Sequence, residues 1–168
     1  MVTLSKFFKF LFLNLKEKNN LIGILIILSV FFFDRFSKIK AINLLTEQNN
    51  FFVNDFINLS LVWNTGIGFG LLSLETGITY NLISALIGLI IFFLIYLLFI
   101  SKIADKLLFA LVVGGAFGNL YDRIVFFAVP DFIDVHYQNF HWFTFNIADI
   151  FISLGIIMLV LKDLILKK

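Results

Sequence analysis

The chain has no cysteine, one proline and few charged residues among its 168 positions. Without cysteine it can form no disulfide, and it offers no thiol nucleophile and no ligand set for an iron–sulfur cluster. Only 14% of the residues are charged and the formal net charge is +2. No cluster of Lys and Arg is therefore available to contact a nucleic-acid backbone, and we expect no nucleic-acid partner.

What the chain has in excess is apolar surface, since 61% of its residues are hydrophobic and 24 are phenylalanine. A soluble domain of this size cannot bury so much apolar area, so the composition predicts a membrane protein. A helical span needs about 20 apolar residues. Residues 82–100 provide 19 without a charge and form the clearest predicted span.

Three shorter apolar runs are each bordered by an acidic residue. The run 21–33 ends at Asp34, the run 107–121 ends at Asp122, and the run 150–161 follows Asp149. We predict an all-α polytopic membrane protein in which residues 1–168 form one domain with four transmembrane helices. Each shorter span then holds a carboxylate at the membrane boundary or within it.

The distribution of basic residues predicts the orientation, because Lys and Arg concentrate on the cytoplasmic side. With four spans, nine basic residues lie on the side of the two termini and four on the other. Both termini are therefore expected in the cytoplasm. This topology gathers Asp34, Asp122 and Asp149 at the extracytoplasmic rim.

Two segments outside the spans have their own patterns. Residues 1–20 mix Phe and Leu with Lys, which is typical of a cytoplasmic interfacial helix, although a frayed basic tail is the alternative. In residues 39–80, apolar and polar side chains alternate over 57–63, which predicts a strand. Glycines 66, 68 and 70 follow and permit a tight turn. We predict a small β-rich platform at the extracytoplasmic face in 39–80, and a second extracytoplasmic loop in 123–145.

Ionisable residues at membrane depth cost about 2.5 to 3.5 kcal/mol each, so they usually face a partner or an aqueous cavity. Asn119 and Asp122 are three residues apart, on one helical face. Their alternative interpretation is a helix-packing seam closed by an ion pair between Asp122 and Arg123. Asn146 and Asp149 have the spacing of a helix cap, which explains Asn146 well. Capping does not explain why Asp131 returns to the same rim.

Two carboxylates held close together at low dielectric cannot both ionise cheaply, so one of them keeps a proton. One carboxylate can then act as general base toward water while the other acts as general acid toward an amide. This chemistry needs no metal, thiol or serine, and it matches the available residues.

Competing arrangements are less favoured. His136 and His141 with nearby aspartates suggest a divalent metal, but their spacing fits neither a helix face nor a common zinc motif. Ser37 and Lys38 suggest a Ser/Lys hydrolase, yet adjacent residues on a helix diverge by about 100°. The Tyr-Asp pair at 121–122 matches one motif of presenilin-like proteases, whose GxGD partner motif is missing.

Four sequence blocks resemble the lipoprotein signal peptidases, also called signal peptidase II. They are DRFSK at 34–38, NTGIGF at 64–69, GGAFGNLYDR at 114–123, and DFID at 131–134 followed by FNIAD at 145–149. The resemblance covers roughly residues 21–165. It implies four transmembrane helices with a small extracytoplasmic β-cradle and a short helix over the active site.

The implied activity is that of an aspartic endopeptidase of the bacterial inner membrane. Its substrate would be a diacylglyceryl-modified prolipoprotein, cut on the amino side of the lipidated cysteine. The family's catalytic aspartates correspond to Asp131 and Asp149. The supporting and substrate-binding positions correspond to Asp34, Lys38, Asn64, Gly66, Asn119, Asp122, Arg123 and Asn146. We expect no metal, no cofactor and a monomer in contact with membrane lipid.

Two positions depart from the family's usual pattern. Phe143 stands where proline is frequent, and Gly68 where other small residues are common. Neither position is a catalytic carboxylate. Two rival interpretations remain: a four-span protein whose acids bind protons or cations without catalysis, and a family member that binds lipoproteins without cutting them.

Overall fold

The computed structural model of the chain describes residues 17–48, 50–66 and 77–166. Within these ranges the protein is mostly helical with one small antiparallel sheet. The helices are α1 (Lys18–Gln48), α2 (Ile78–Ile100), α3 (Ile103–Phe126) and α4 (Ile147–Leu166), and the strands are β1 (Asn50–Asn54), β2 (Ile57–Asn64), β3 (Val129–Tyr137) and β4 (Phe140–Phe145).

Helix α3 is the centre of the bundle and packs against α1, α2 and α4. Its glycines make this packing possible, because small residues let helix backbones approach closely. A Cβ atom at Gly114 would lie 2.8 Å from Cβ of Val30 on α1, and one at Gly115 would lie 2.6 Å from the carbonyl oxygen of Ala148 on α4. The glycine-rich block therefore sets how closely three helices meet.

The four strands are hydrogen-bonded in chain order, β1-β2-β3-β4, and all pairs are antiparallel. The strand predicted from the alternation over 57–63 is confirmed as β2. Helix α3 ends at Phe126, and the backbone of the next residue, Phe127, is left-handed with φ 54°. The chain turns there and enters β3, which carries Asp131 next to the helix ends.

The first helix differs from the prediction, because α1 continues through Asp34 to Gln48 instead of ending at the acidic residue. Its buried side chains beyond that point are Lys38, Ala41 and Leu45, spaced as one helical face. Ala41 and Leu45 pack against Phe132 of the sheet. This tertiary contact keeps the segment helical, so the β-rich part starts at Asn50 and not at residue 39.

The segment 123–145 also differs from a plain loop. Its first residues complete α3, and the remainder forms the hairpin of β3 and β4. The predicted interfacial segment 1–20 lies outside the described residues except for its last four positions. In the described ranges, the four long helices are the only helices, so the predicted short interfacial helix is not among them.

Helices α2 and α3 are long and apolar enough to cross a membrane, judged by length and composition alone. They are the two candidate spans among the described residues, so the four-span topology stays a prediction. The outward face of α2 is apolar and open, with Leu82 65% exposed and Leu89 67% exposed. Such a face is costly in water and favourable in lipid.

Candidate active site

Asp131 lies on β3 and is only 2% exposed. Both of its carboxylate oxygens accept hydrogen bonds from asparagine side chains. Nδ2 of Asn64, at the end of β2, donates to Oδ2 over 2.8 Å, and Nδ2 of Asn146 donates to Oδ1 over 2.5 Å. The two amides fix the position of the carboxyl group on the sheet.

Asp149 lies in the first turn of α4 and forms a reciprocal cap with Asn146. The backbone N–H of Asn146 donates to Oδ2 of Asp149 over 3.1 Å, and the backbone N–H of Asp149 donates to Oδ1 of Asn146 over 3.1 Å. This is the capping-box pattern, with Asn and Asp in place of the usual residues. Nδ2 of Asn119 on α3 donates to Oδ1 of Asp149 over 2.8 Å.

Asn146 therefore contacts both carboxyl groups and is fully buried between them. Burial first, and then the negative charge of Asp149, raise the pKa of Asp131 from 3.8 to about 6. Hydrogen bonds from Asn64 and Asn146 act in the opposite direction. A carboxyl group on the sheet and one on a helix thus interact electrostatically across one asparagine.

Lys38 joins α1 to α3 at the centre of the site. Its ammonium group is fully buried and donates to Oδ2 of Asp34 at 2.8 Å, to Oδ1 of Asn119 at 2.8 Å and to Oδ2 of Asp122 at 2.7 Å. A lysine has three N–H donors, and all three are used. Asp34 and Lys38 are four residues apart on α1 and form a buried ion pair.

Asp34 also connects α1 to α4, because its Oδ1 accepts the backbone N–H of Ala148 over 3.0 Å. This N–H lies in the first turn of α4, where a helix has no internal acceptors for its donors. The carboxylate fits against α3 because residue 118 is glycine. A Cβ atom at Gly118 would overlap Oδ2 of Asp34.

Arg123 ties α3 to the end of the sheet. Its Nη2 donates to the carbonyl oxygen of Gly66 over 2.9 Å, and its Nη1 donates to the carbonyl oxygen of Asn119 over 3.1 Å. The backbone N–H of Gly66 in turn donates to Oδ1 of Asn64 over 2.8 Å. Asn64 can therefore hold Asp131 with its amide nitrogen while its oxygen is anchored to the turn.

One connected network thus contains every site residue named from the sequence: Asp34, Lys38, Asn64, Gly66, Asn119, Asp122, Arg123, Asp131, Asn146 and Asp149. Asp122 forms ion pairs with Lys38 and Arg35, so it joins α3 to α1. Helix capping by Asn146 is present, and the same residue also binds Asp131.

Arg35 also belongs to this network, although the sequence pattern indicates only that it is a basic residue near the rim. Its Nη1 lies 2.6 Å from Oδ1 of Asp122, and its guanidinium lies 4.9 Å above the ring of Tyr121. A cation directly beside Asp34 in an otherwise apolar run was the available signal. The contact made by the backbone N–H of Ala148 has no such sequence signal, since every residue but proline carries this donor.

The residues of the suggested metal site and of the suggested Ser/Lys pair make other contacts in the structure. His141 Nδ1 lies 2.7 Å from Oδ2 of Asp134, and its ring stacks on His136 with centroids 5.3 Å apart. Across the described part of the chain, no group of three or more such ligands is placed to hold a metal ion. Ser37 Oγ donates to the backbone oxygen of Asp34 over 2.8 Å, so it is directed away from a pairing with Lys38.

A groove of about 360 Å³ opens beside Asp149. Strand β4 contributes Phe143 and Phe145, whose ring centroids are 5.7 Å apart. Helix α4 contributes Asp149, Ile150, Ser153, Leu154 and Ile157. Phe145 thus lines this groove, while Trp63 on β2 packs against Phe126 at the end of α3.

Similarity to known proteins covers most of the chain. The family described as signal peptidase (SPase) II matches residues 26–165. The lipoprotein signal peptidase of Pelagibacter ubique (strain HTCC1062) is 48% identical over 149 residues, which are 88% of this chain and 90% of that protein. That of Anaplasma marginale (strain Florida) is 37% identical over 143 residues, or 83% and 82% of the two chains.

Solved structures agree with this assignment. A bacterial membrane enzyme with 28% identity superposes with a TM-score of 0.70, covering 88% of this chain and 92% of that one. A second bacterial membrane enzyme, 26% identical, gives a TM-score of 0.68. The family match spans every residue of the network described above. The chain therefore belongs to the signal peptidase II family.

Proposed function

We propose that this protein is an aspartic endopeptidase that removes signal peptides from diacylglyceryl-modified prolipoproteins, with Asp131 and Asp149 as the catalytic pair. As a member of the signal peptidase II family, the chain is a peptidase that processes prolipoproteins. The roles of individual residues and the cleavage on the amino side of the lipidated cysteine are part of the proposal. One observation carries it: Asn146 hydrogen-bonds to both carboxyl groups.

Charge balance supports a shared proton. The network holds the carboxyl groups of Asp34, Asp122, Asp131 and Asp149 against the cations of Arg35, Lys38 and Arg123. Lys38 and Arg35 are engaged with Asp34 and Asp122, which leaves the other two carboxyls with less compensation. A low-dielectric site strongly disfavours uncompensated charge. One proton held by Asp131 and Asp149 brings the set to neutrality, and the raised pKa of Asp131 agrees with it.

The reaction then follows from one ionised and one protonated carboxyl group. The ionised carboxylate removes a proton from a water molecule, and the water oxygen bonds to the carbonyl carbon of the scissile amide. The protonated carboxyl delivers its proton to the amide nitrogen as the C–N bond breaks. The pair exchanges roles between turnovers and titrates as a unit.

The supporting residues hold this pair in place, which is where much of the rate gain in such a site originates. Asn64 orients Asp131, Asn119 orients Asp149, and Lys38 orients Asn119 by donating to its oxygen. Arg123 fixes the Gly66 turn. We propose that Gly66, at the end of β2, faces the backbone of the bound peptide.

The membrane setting is the finer part of the proposal. We infer four spans, α1 to α4, with both termini in the cytoplasm of a bacterial cell and the carboxyl pair at the extracytoplasmic face of the inner membrane. The apolar exposed face of α2 and the excess of basic residues near the termini support this arrangement. We propose that the protein works as a monomer beside lipid.

A non-catalytic ion-binding protein is the rival class. A translocation pathway needs polar groups along the membrane normal. Here the acids cluster where α1, α3, α4 and the sheet meet, while α2 contains no charged residue. This clustering at one end favours a surface reaction over transport.

The direct test compares wild type with Asp131→Asn and Asp149→Asn on a purified lipidated prolipoprotein and on its unlipidated form. Wild type is expected to cut the lipidated form alone, and each variant to lose at least about a thousandfold in kcat, as general acid–base groups supply roughly this much. Product masses give the cleavage position.

Glu17→Gln is the matched control, because Glu17 is an exposed acid at the opposite end of α1. It is expected to keep full activity. Turnover near wild type in either Asn variant, with correct insertion, would overturn the catalytic pair. Binding of the lipidated substrate without cleavage by wild type would instead favour an inactive family member.

A further inference from the structure

The groove beside Asp149 is built from two elements that meet only in the folded protein. Its wall on α4 is formed by Ile150, Ser153, Leu154 and Ile157, whose spacing places them on one helical face. Its other wall is the aromatic pair Phe143 and Phe145 on β4. Asp149 is also part of the lining, so the groove reaches the proposed catalytic pair.

The lining of the groove is mostly apolar, which favours a hydrocarbon ligand. Away from Asp149, Ser153 is the one polar residue among the seven that line the groove. Such a surface gains most from hydrocarbon and offers little to a peptide backbone, whose polar groups need partners. Leu154 is 46% exposed and Phe143 is 44% exposed, so both walls of the groove can be reached from outside the bundle.

The size of the groove argues against a helical segment of the signal peptide. A helix with side chains is about 10 Å across. A space of about 360 Å³ lies near the lower limit for small-ligand sites and matches one slender chain. A fatty-acyl chain has this shape and this polarity.

We propose that this groove binds one acyl chain of the diacylglyceryl group of the substrate. The inference rests on the proposed function, in which the scissile amide is adjacent to the lipidated cysteine. The glyceryl group is then only a few bonds from the reacting carbon, and an acyl chain leaving Asp149 enters the groove directly. The free energy of substrate binding then depends on the length of the acyl chain, and the bound chain holds the scissile amide at the catalytic pair. Phe143, which lines the groove, stands at the position where the family's usual pattern often has proline.

The test uses one prolipoprotein peptide with two acylations, dipalmitoyl and dibutyryl, assayed with wild type and with Ser153→Phe. The larger side chain fills the groove. The ratio of kcat/KM for the long-chain substrate to that for the short-chain substrate is expected to fall about tenfold, mostly through KM. Met158→Phe is the control, since Met158 is 45% exposed on the same helix and outside the groove lining. It is expected to keep the wild-type ratio.

A second measurement needs no variant. A dipalmitoyl substrate with a photoreactive diazirine near the end of one acyl chain is expected to crosslink to Leu154 or Ile157 of wild type. Crosslinks confined to other helices, an unchanged ratio in Ser153→Phe, or an equal loss with both substrates would overturn the acyl assignment. The last result would indicate that the groove receives the peptide. If wild type cuts neither substrate, the proposed function itself fails.

Discussion

Lys38 illustrates how a buried charge is accommodated in this protein at the scale of single residues. An unpaired ammonium in an apolar interior is strongly unfavourable, whereas three hydrogen-bond acceptors compensate for the lost hydration. The acceptors come from Asp34, Asn119 and Asp122, so the ammonium also fixes α1 against α3. Because Asn119 then donates to Asp149, the charge of Lys38 determines which way that amide points.

The acidity of Asp131 leads to a prediction about pH. Its pKa is raised to about 6 by burial and by Asp149, so it keeps its proton up to a higher pH than an ordinary aspartic acid. The singly protonated pair is therefore populated near pH 6 and lost as the pH rises through that value. We expect kcat/KM to decline above about pH 6 along a limb that reports loss of one proton from the free enzyme.

The matched variant is Asn64→Ala, which removes a hydrogen bond that lowers the pKa of Asp131. Its descending limb is expected at higher pH than that of wild type, whatever its maximal rate. The measurement is kcat/KM against pH from 5 to about 9 in a constant-ionic-strength buffer. A flat profile, or identical limbs in the two proteins, would show that Asp131 does not carry the proton.

Sequence patterns reached most residues of the site but not their contacts. The rim position of Asp34, Asp122 and Asp149 follows from where apolar runs stop. That Asn146 contacts Asp131 as well as Asp149 does not, because this contact depends on how β3 lies against the start of α4. The ion pair of Arg35 could not be predicted for the same reason, because it depends on the neighbouring helix that carries Asp122.

At the scale of elements, the long α1 shows what local patterns miss. The charges at Asp34 and Lys38 resemble the end of a span, yet they continue a buried helical face that leads to Ala41 and Leu45. The continuation of the helix beyond Asp34 can be explained only by the sheet that packs against this face. The strand over 57–63 was recognisable because its alternation is local, whereas the start of the β-rich part was set by a long-range contact.

The glycines of α3 give a prediction about helix packing. In Gly115→Ala the new Cβ would lie 2.6 Å from the carbonyl oxygen of Ala148, and a backbone atom cannot move aside without shifting α4. We expect a loss of about 1 to 3 kcal/mol in stability, measured as a lower Tm in detergent, together with lower activity because α4 carries Asp149.

Gly88→Ala provides the control within α2. Its nearest neighbour would be Leu120 Cδ2 at 3.9 Å, an ordinary contact. Replacing a helical glycine there is expected to leave Tm unchanged or to raise stability by about 0.5 to 1 kcal/mol. Equal effects in the two variants would mean that close approach of α3 and α4 is not what Gly115 provides.

At the scale of the whole molecule, polarity is unevenly distributed between the two ends of the bundle. The carboxyl pair, the sheet and the apolar groove lie together at one end, while Asp105 and Lys162 join α3 to α4 at the other. A substrate anchored by lipid diffuses in two dimensions at fixed depth, which favours a site located at one membrane face. The proposed mechanism therefore requires that the bundle be inserted with the carboxyl pair at the extracytoplasmic face.

The absence of cysteine makes that orientation directly measurable, because any introduced thiol is the only one in the chain. Gln138→Cys lies in the exposed turn between β3 and β4, and Ala104→Cys lies at the exposed start of α3. A membrane-impermeant maleimide is expected to label Gln138→Cys in intact spheroplasts and Ala104→Cys only in inverted vesicles. The opposite pattern would place the carboxyl pair on the cytoplasmic side, and labelling of both sites from one side would contradict an α3 that crosses the bilayer between them.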